Sequence, residues 1–121
     1  MQPVVDPDPN FEVRQLDLMR ILANRPDISQ RALSRELGLS LGKTHYVLHA
    51  LLDKGLVKAR NFRRSDNKLA YAYLLTAAGV REKMRMTRDF LSRKEVEFEK
   101  LRTTIANLRA EVADSPGGDA A

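Results

Sequence analysis

Two short helical patterns separated by only three residues constrain the fold of this chain more than any other feature. They lie in residues 28–55, ISQRALSRELGLSLGKTHYVLHALLDKG. Ser29 opens the first pattern and Gly38 closes it, since serine satisfies an unpaired backbone N–H at a helix start and glycine easily adopts the left-handed conformation after a helix end. Ser40 then opens the second pattern. Because so short a link does not let two helices lie side by side, they must cross at a wide angle, which is the geometry of a helix-turn-helix.

The second helix of this pair divides into a buried side and an exposed side. Thr44, Leu48, Leu51 and Leu52 recur at helical spacing and predict the buried side. The opposite side is rich in hydrogen-bond donors and carries an aromatic ring, so we expect it to face solvent or a polar partner. It consists of Leu41, Lys43, His45, Tyr46 and His49.

Positive charge is concentrated around the same region. The chain has a formal net charge of +5 and a pI near 9.8. Residues 25–68 contain ten basic residues against four acidic ones, so this segment carries +6 and the remainder of the chain −1. A positive field confined to one segment is typical of a protein that binds a polyanion. The alternative is a solvated basic face with no partner.

A helix before the pair and a hairpin after it complete the predicted domain. Residues 11–24 place apolar side chains on one helical face. After Gly55 the period changes to two, which predicts strands at 56–62 and 69–75. Between them, residues 63–68 (RRSDNK) form a polar turn with three cations. A hairpin that directly follows a helix-turn-helix is a wing, so we predict a mainly α-helical winged helix-turn-helix with one small β-hairpin.

A long helix is predicted over residues 77–113, because no proline and only one early glycine interrupt this charged segment. About 37 residues give a rod of roughly 55 Å, which is too long to lie along so small a domain. Steps of three and four mark an apolar seam, interrupted at Thr87 and Lys94. The alternative is an amphipathic helix that packs back on its own domain. We predict dimerisation through Met84, Leu91, Phe98, Leu101, Ile105, Leu108 and Val112.

Length and composition limit the class of protein. A chain of 121 residues suits one modest domain, with residues 11–76 forming the winged helix-turn-helix unit and 77–113 the dimerisation helix. We expect residues 1–10 and 114–121 to be disordered. The absence of a long apolar run and of a leader indicates a soluble cytoplasmic protein. The sequence contains no cysteine, which excludes disulfides and thiolate metal sites.

Motifs for catalysis or cofactor binding are missing from the sequence. It contains no glycine-rich phosphate loop, no Gly-x-Ser-x-Gly elbow and no pair of carboxylates framed by apolar residues. We therefore expect no enzymatic activity and no cofactor. His45 and His49 have the spacing of two zinc ligands on a helix, but Tyr46 stands where a metalloprotease helix needs glutamate. We interpret the histidines as polar groups of a nucleic-acid-facing helix and predict no metal.

Duplex DNA is the polyanion that suits this arrangement. An α-helix fits the major groove, where base edges carry an unambiguous donor and acceptor pattern. In this hypothesis the second helix reads bases, the start of the preceding helix clamps the DNA backbone, and the wing lies along the minor groove. The candidate DNA-binding residues are Ser29, Gln30, Arg31, Ser40, Leu41, Lys43, His45, Tyr46, His49, Arg60, Arg63, Arg64 and Lys68.

These residues resemble the MarR family of bacterial winged helix-turn-helix regulators, in particular its small exopolysaccharide-associated branch. The similar pieces are ISQRALSRELGLSLGKTHYVLHALLDKGLVKARNF and NKLAYAYLLTAAG, followed by a long charged helix, and together they span about residues 11–112. The resemblance implies a homodimer that binds promoters, including those of a polysaccharide-synthesis locus. It also implies that Lys68 takes the role of the arginine in the family's Asp-x-Arg wing motif. Larger members begin with an extra helix, which we do not expect here, so we expect no small-molecule effector.

Two other functions fit parts of the sequence. A protein-interaction adaptor would use the winged fold without sequence-specific DNA binding and the long helix as a partner-binding coiled coil. RNA binding fits the charge but not the helix, because the major groove of A-form RNA is too narrow for a helix to read. A gel shift with specific competitor DNA separates the adaptor from a DNA-binding regulator.

Overall fold

The computed structural model of the protein describes residues 8–116. Its fold is mainly α-helical with one antiparallel two-stranded hairpin, as predicted. The chain divides into two units, one ending at Thr87 and one beginning at Arg88. The elements in chain order are α1 (Phe11–Asn24), α2 (Gln30–Leu37), α3 (Leu41–Asp53), β1 (Val57–Arg63), β2 (Leu69–Leu75) and α4 (Ala77–Asp114).

The helix boundaries around the α2–α3 turn follow from local chemistry. The Ser29 hydroxyl accepts a hydrogen bond from the Ala32 N–H at 3.1 Å, and the Ser40 hydroxyl accepts one from the Lys43 N–H at 3.1 Å. Gly38 adopts a left-handed φ of 67° at the end of α2. The two predicted serine caps and the glycine end are therefore confirmed, and they define the helix-turn-helix.

The core of the first unit lies where α1, α2 and α3 meet. Its fully buried members include Leu18 and Leu22 of α1, Leu33 of α2, and Leu48 of α3. Thr44 is also buried, and its hydroxyl donates to the Ser40 carbonyl at 2.9 Å, so this polar side chain is satisfied inside the core. Sequence periodicity identified Thr44, Leu48 and Leu51 on this face of α3, whereas Leu52, also predicted to be buried, is only half-buried because it lies at the edge of the face. It missed further core residues, namely Leu16, Met19 and Val47.

A backbone hydrogen bond joins the hairpin to the helical part of the unit. β1 and β2 pair from Val57↔Leu75 to Arg63↔Leu69, and the strand predicted at 56–62 is displaced by one residue. The Tyr73 N–H donates to the Pro26 carbonyl at 2.9 Å, which ties β2 to the turn between α1 and α2. The wing is therefore attached along one edge to the helical part of the unit.

The ends of the described chain differ in part from the expectation of disorder. Residues 1–7 and 117–121 lie outside the described residues. Residues 8–10, in contrast, form a turn in which the Asp8 side chain accepts the Asn10 N–H at 2.9 Å and the Asp8 carbonyl accepts the Phe11 N–H at 3.1 Å. Asp114, which we assigned to the tail, is the last helical residue of α4. No helix within residues 8–116 combines the length and the apolar character needed to cross a membrane.

Candidate nucleic-acid interface

The outward side of α3 is the surface that the sequence singled out. Leu41, His45, Tyr46 and His49 are all exposed. The rings of His45 and His49 lie 4.0 Å apart between centroids, as expected one helical turn apart. Within residues 8–116 no group of three or more histidine, cysteine or acidic side chains comes together to hold a metal ion. The exposed donors of α3 lie along one side of the helix, opposite its buried residues.

Lys43 differs from the other four residues because it is only half-exposed. Its Nζ lies 5.2 Å from the ring centroid of Tyr46 and 5.6 Å from that of Phe11, and the two rings are 5.7 Å apart. The same Nζ lies 3.8 Å from a carboxylate oxygen of Asp8. Sequence reasoning missed both Asp8 and Phe11, since no local pattern connects the start of α1 with a residue more than thirty positions later.

At the start of α2, fewer polar side chains are available for DNA than the sequence suggested, because some already form hydrogen bonds within the protein. The side-chain oxygens of Ser29 and Ser40 are occupied as helix caps, although both residues are exposed. The Gln30 Nε2 donates to the Tyr73 hydroxyl of β2 at 3.3 Å. Arg31 is exposed. The predicted backbone clamp at the start of α2 therefore has one exposed cation, Arg31, and one amide, Gln30, that also links α2 to the wing.

The wing tip carries the predicted cations in a defined turn. Asn67 has a left-handed φ of 63°, and its N–H donates to the Arg64 carbonyl at 2.9 Å. Arg64 forms an ion pair with Asp66 at 3.1 Å, while the Arg63 Nη1 donates to the Asn67 carbonyl at 3.3 Å. Lys68 is exposed. The tip is thus a compact turn with its positive charge directed to solvent.

The wing cations do not all lie on one surface. Arg60 pairs with Ala72 and Arg63 with Leu69 in the hairpin register. Because successive residues of a strand point to opposite faces, Arg60 and Arg63 lie on opposite faces of the hairpin. A DNA backbone that runs along one face of the hairpin can therefore contact the side chain projecting from that face, Arg60 or Arg63, but not both.

A cleft of about 730 Å³ separates the wing from the start of α2. It is lined by Ser29 and Gln30 on the helix side and by Arg64, Tyr71 and Tyr73 on the wing side. Ser29, Gln30 and Arg64 were predicted as site residues, and the structure brings them to this one cleft. The two tyrosines were not predicted, because the alternation of β2 does not show which of its faces is turned towards α2.

Two carboxylates near these surfaces are held in the charged form. The backbone N–H of Asn10 and the guanidinium of Arg14 lower the pKa of Asp8. A hydrogen bond from Arg25 lowers the pKa of Glu36 at the end of α2. Both carboxylates therefore remain ionised at neutral pH and subtract from the local positive field.

The second unit consists of the remainder of α4 and carries an apolar stripe. Five side chains of this stripe are more than half exposed: Leu91, Phe98, Leu101, Leu108 and Val112. Ile105 is 39% exposed, and Met84 is exposed on the part of α4 within the first unit. The Lys94 Nζ, at a polar position of the seam, lies 3.0 Å from a Glu97 carboxylate oxygen.

Comparison with known proteins agrees with this geometry. The winged helix-turn-helix DNA-binding family profile matches residues 12–58. No curated protein sequence matches the chain significantly. A Streptococcus transcriptional regulator superposes with a TM-score of 0.63 at 14% identity, covering 78% of this chain and 99% of that one.

Two further solved structures share the fold. The PcaV transcriptional regulator from Streptomyces coelicolor has a TM-score of 0.61 at 21% identity, over 84% of this chain and 76% of its own. A PadR-like transcriptional regulator from Bacillus cereus has a TM-score of 0.59 at 16% identity, over 82% and 93%. At these identities the likeness concerns the fold. The protein therefore has a winged helix-turn-helix fold, in which α1 to α3 are followed by the β1–β2 wing, and its residues 12–58 match the winged helix-turn-helix DNA-binding profile.

Proposed function

We propose that the protein is a cytoplasmic transcription regulator that binds specific sequences of double-stranded DNA. The exposed donor-rich side of α3, next to a basic wing in a domain of the winged helix-turn-helix type, is the observation that carries this proposal. A helix of 13 residues is about 20 Å long and fits along the major groove. We assign base contacts to Lys43, His45, Tyr46 and His49, and phosphate contacts to the start of α2 and the wing.

We further propose that the regulator acts as a homodimer held through α4. One domain of this size makes few contacts with DNA, whereas two copies bind a two-fold site together. The stripe from Leu91 to Val112 extends over about 32 Å of helix. Because these side chains are only about half exposed on the single helix, burying each of them favours association by roughly 0.8–1.5 kcal/mol before the entropic cost of pairing. The MarR resemblance also supports a dimer and a promoter in an exopolysaccharide locus.

The DNA proposal is tested by selecting sequences from random and genomic duplexes, then measuring affinity by fluorescence anisotropy across a salt series. We expect a steep loss of affinity with salt. Tyr46→Ala should reduce the preference for the selected sequence by about 1–3 kcal/mol, while Arg63→Ala with Arg64→Ala should weaken all duplexes similarly. Arg93→Ala with Lys100→Ala removes the same charge from α4 and serves as the control.

The results separate the possible functions. An adaptor protein would show no preference among duplexes at moderate salt. If the preferred sequence bound equally well after Tyr46→Ala and after the double wing substitution, the assigned roles would be wrong. If the α4 control weakened binding as much as the wing variant did, only overall charge would be involved.

The dimer proposal is tested by sedimentation of paired variants. Leu101 lies in the seam and is 56% exposed, while Val96 lies off the seam and is 55% exposed. We expect Leu101→Lys to shift the protein to monomer and Val96→Lys to leave the dimer intact, because only the first places a charge in the paired surface. A wild-type monomer, or equal effects of both substitutions, would contradict pairing through this seam.

A further inference from the structure

The turn before α1 reaches the proposed reading surface of α3. The Asp8 carboxylate lies 2.6 Å from Arg14 Nε and 3.8 Å from Lys43 Nζ. Its side chain is only 19% exposed, and that of Lys43 is 27% exposed, so water screens this ion pair less than one at the open surface. A negative charge therefore sits beside a cation that we assign to DNA contact.

The aromatic contacts hold Lys43 in the same place. Its Nζ lies within cation–π range of Tyr46 at 5.2 Å and of Phe11 at 5.6 Å. Among residues 8–116, the lysine head thus lies beside the Asp8 carboxylate, which precedes α1, and beside the rings of Phe11 and Tyr46. To contact a phosphate or a guanine, it must exchange at least its carboxylate partner.

Arg14 makes such an exchange inexpensive for Asp8. The arginine Nε remains 2.6 Å from the carboxylate, and the Asn10 N–H donates to its other oxygen at 2.9 Å. Asp8 therefore keeps two donors when Lys43 turns to DNA, and no buried charge is left unpaired.

We propose that Asp8 competes with DNA for Lys43 and so restrains binding to duplexes of arbitrary sequence. This inference rests on the proposed DNA-binding function. Only a duplex that offers Lys43 a well-placed acceptor replaces the carboxylate, whereas a phosphate passing at random gains little. Asp8 is thus a specificity-determining residue that reaches the DNA through Lys43.

The test is Asp8→Asn, which removes the charge and retains an oxygen to accept the Asn10 N–H. Because Lys43 then no longer has to leave a carboxylate in order to contact a phosphate, we expect about a threefold to tenfold gain in affinity for a random duplex. The salt dependence should steepen by up to about one phosphate. Affinity for the selected sequence should rise less.

Two further variants identify the route of the effect. Asp17→Asn removes the same charge from an exposed pair with Arg20 on α1 and should change affinity little. In a Lys43→Met background, which keeps most of the aliphatic stem, Asp8→Asn should no longer raise the affinity. In the free protein, Lys43→Met should raise the pKa of Asp8 as followed by NMR, since one cation near the carboxylate is lost.

Each outcome decides a separate statement. If wild type binds DNA but Asp8→Asn binds random duplexes no better, the competition is refuted while the proposed function stands. An equal gain in the Lys43→Met background, or an unchanged Asp8 pKa, would show that Asp8 does not act through Lys43. If wild type bound no duplex at all, the proposed function and this inference would fail together.

Discussion

At Gly79, helix propensity and packing should change the free energy of unfolding in opposite directions when alanine is introduced. It lies in the first turn of α4 and is buried. A Cβ added there would lie 2.0 Å from the Leu56 carbonyl oxygen and 3.0 Å from the Leu56 carbonyl carbon, whereas ordinary contact begins at 3.4 Å. The same carbonyl oxygen accepts the Thr76 N–H at 3.0 Å, so the backbone at this junction has little freedom to move away.

The expected change in the free energy of unfolding on Gly79→Ala is the sum of two effects. Replacing glycine by alanine inside a helix stabilises by about 1 kcal/mol through propensity. Overpacking typically costs about 1–3 kcal/mol and more when backbone must shift, and an overlap with a backbone carbonyl belongs at the upper end of that range. We therefore expect Gly79→Ala to lower the free energy of unfolding by about 2 kcal/mol, a decrease in Tm of roughly 10 °C for a domain of this size.

The assay is urea unfolding followed by circular dichroism, with all variants at one protein concentration because association contributes to apparent stability. Gly42→Ala in α3 is the matched control. A Cβ at Gly42 meets nothing within 4 Å, so this substitution should stabilise by up to about 1 kcal/mol. If both alanine variants were stabilised alike, the close approach of α4 to Leu56 would be refuted as the reason for glycine at position 79.

Three further predictions concern the first unit. Ser29→Ala should reduce the free energy of unfolding by about 1 kcal/mol, since the Ala32 N–H loses its acceptor. Ser29→Thr should retain most of the wild-type stability, because threonine also caps helices. Leu48→Ala should cost about 2–5 kcal/mol in the same urea assay, because the side chain is fully buried and leaves a cavity. The lowered pKa of Glu36, due to Arg25, stabilises the fold above the pKa of the unfolded carboxyl and is lost as the pH falls through the folded value. As the pH is lowered below roughly 5, the free energy of unfolding of Glu36→Gln should therefore decrease less steeply than that of the wild type. Equal slopes for the two proteins would refute this assignment.

The parts of the fold that were predictable depend on local chemistry. Ser29, Gly38 and Ser40 determine helix ends through hydrogen bonds within three residues and through one left-handed φ, so their residue types suffice to predict the turn. The same holds for Asn67 in the wing tip, where a left-handed residue closes the bend. Such signals do not depend on how the helices later pack.

The parts that were missed depend on contacts between distant segments. The Asp8–Lys43 pair, the Gln30–Tyr73 hydrogen bond and the approach of Gly79 to Leu56 join elements that no periodicity relates. From the sequence, Gly79 is only a glycine tolerated in the first turn of a helix. Its low helix propensity is a local property, whereas the reason for it is the close approach of the Leu56 carbonyl, which no local pattern indicates. Sequence reasoning also treated residues 8–10 as disordered, because prolines and aspartates are typical of linkers and the carboxylate's partners were unknown.

Intramolecular ion pairs also limit how much each cation can contribute to DNA binding. The candidate DNA-binding residues of each protomer include six cations on α2, on α3 and on both faces of the wing: Arg31, Lys43, Arg60, Arg63, Arg64 and Lys68. Within residues 8–116, two of these cations lie near carboxylates, Lys43 near Asp8 at 3.8 Å and Arg64 near Asp66 at 3.1 Å. If all twelve in a dimer each neutralised a phosphate, log affinity would fall with log salt with a slope of roughly −11. Without the four that carry an internal carboxylate partner, it should be roughly −7. Replacing both aspartates by asparagine should steepen the slope towards the larger value, while Asp17→Asn should not, and a wild-type slope near −11 would mean that these pairs do not restrain the cations.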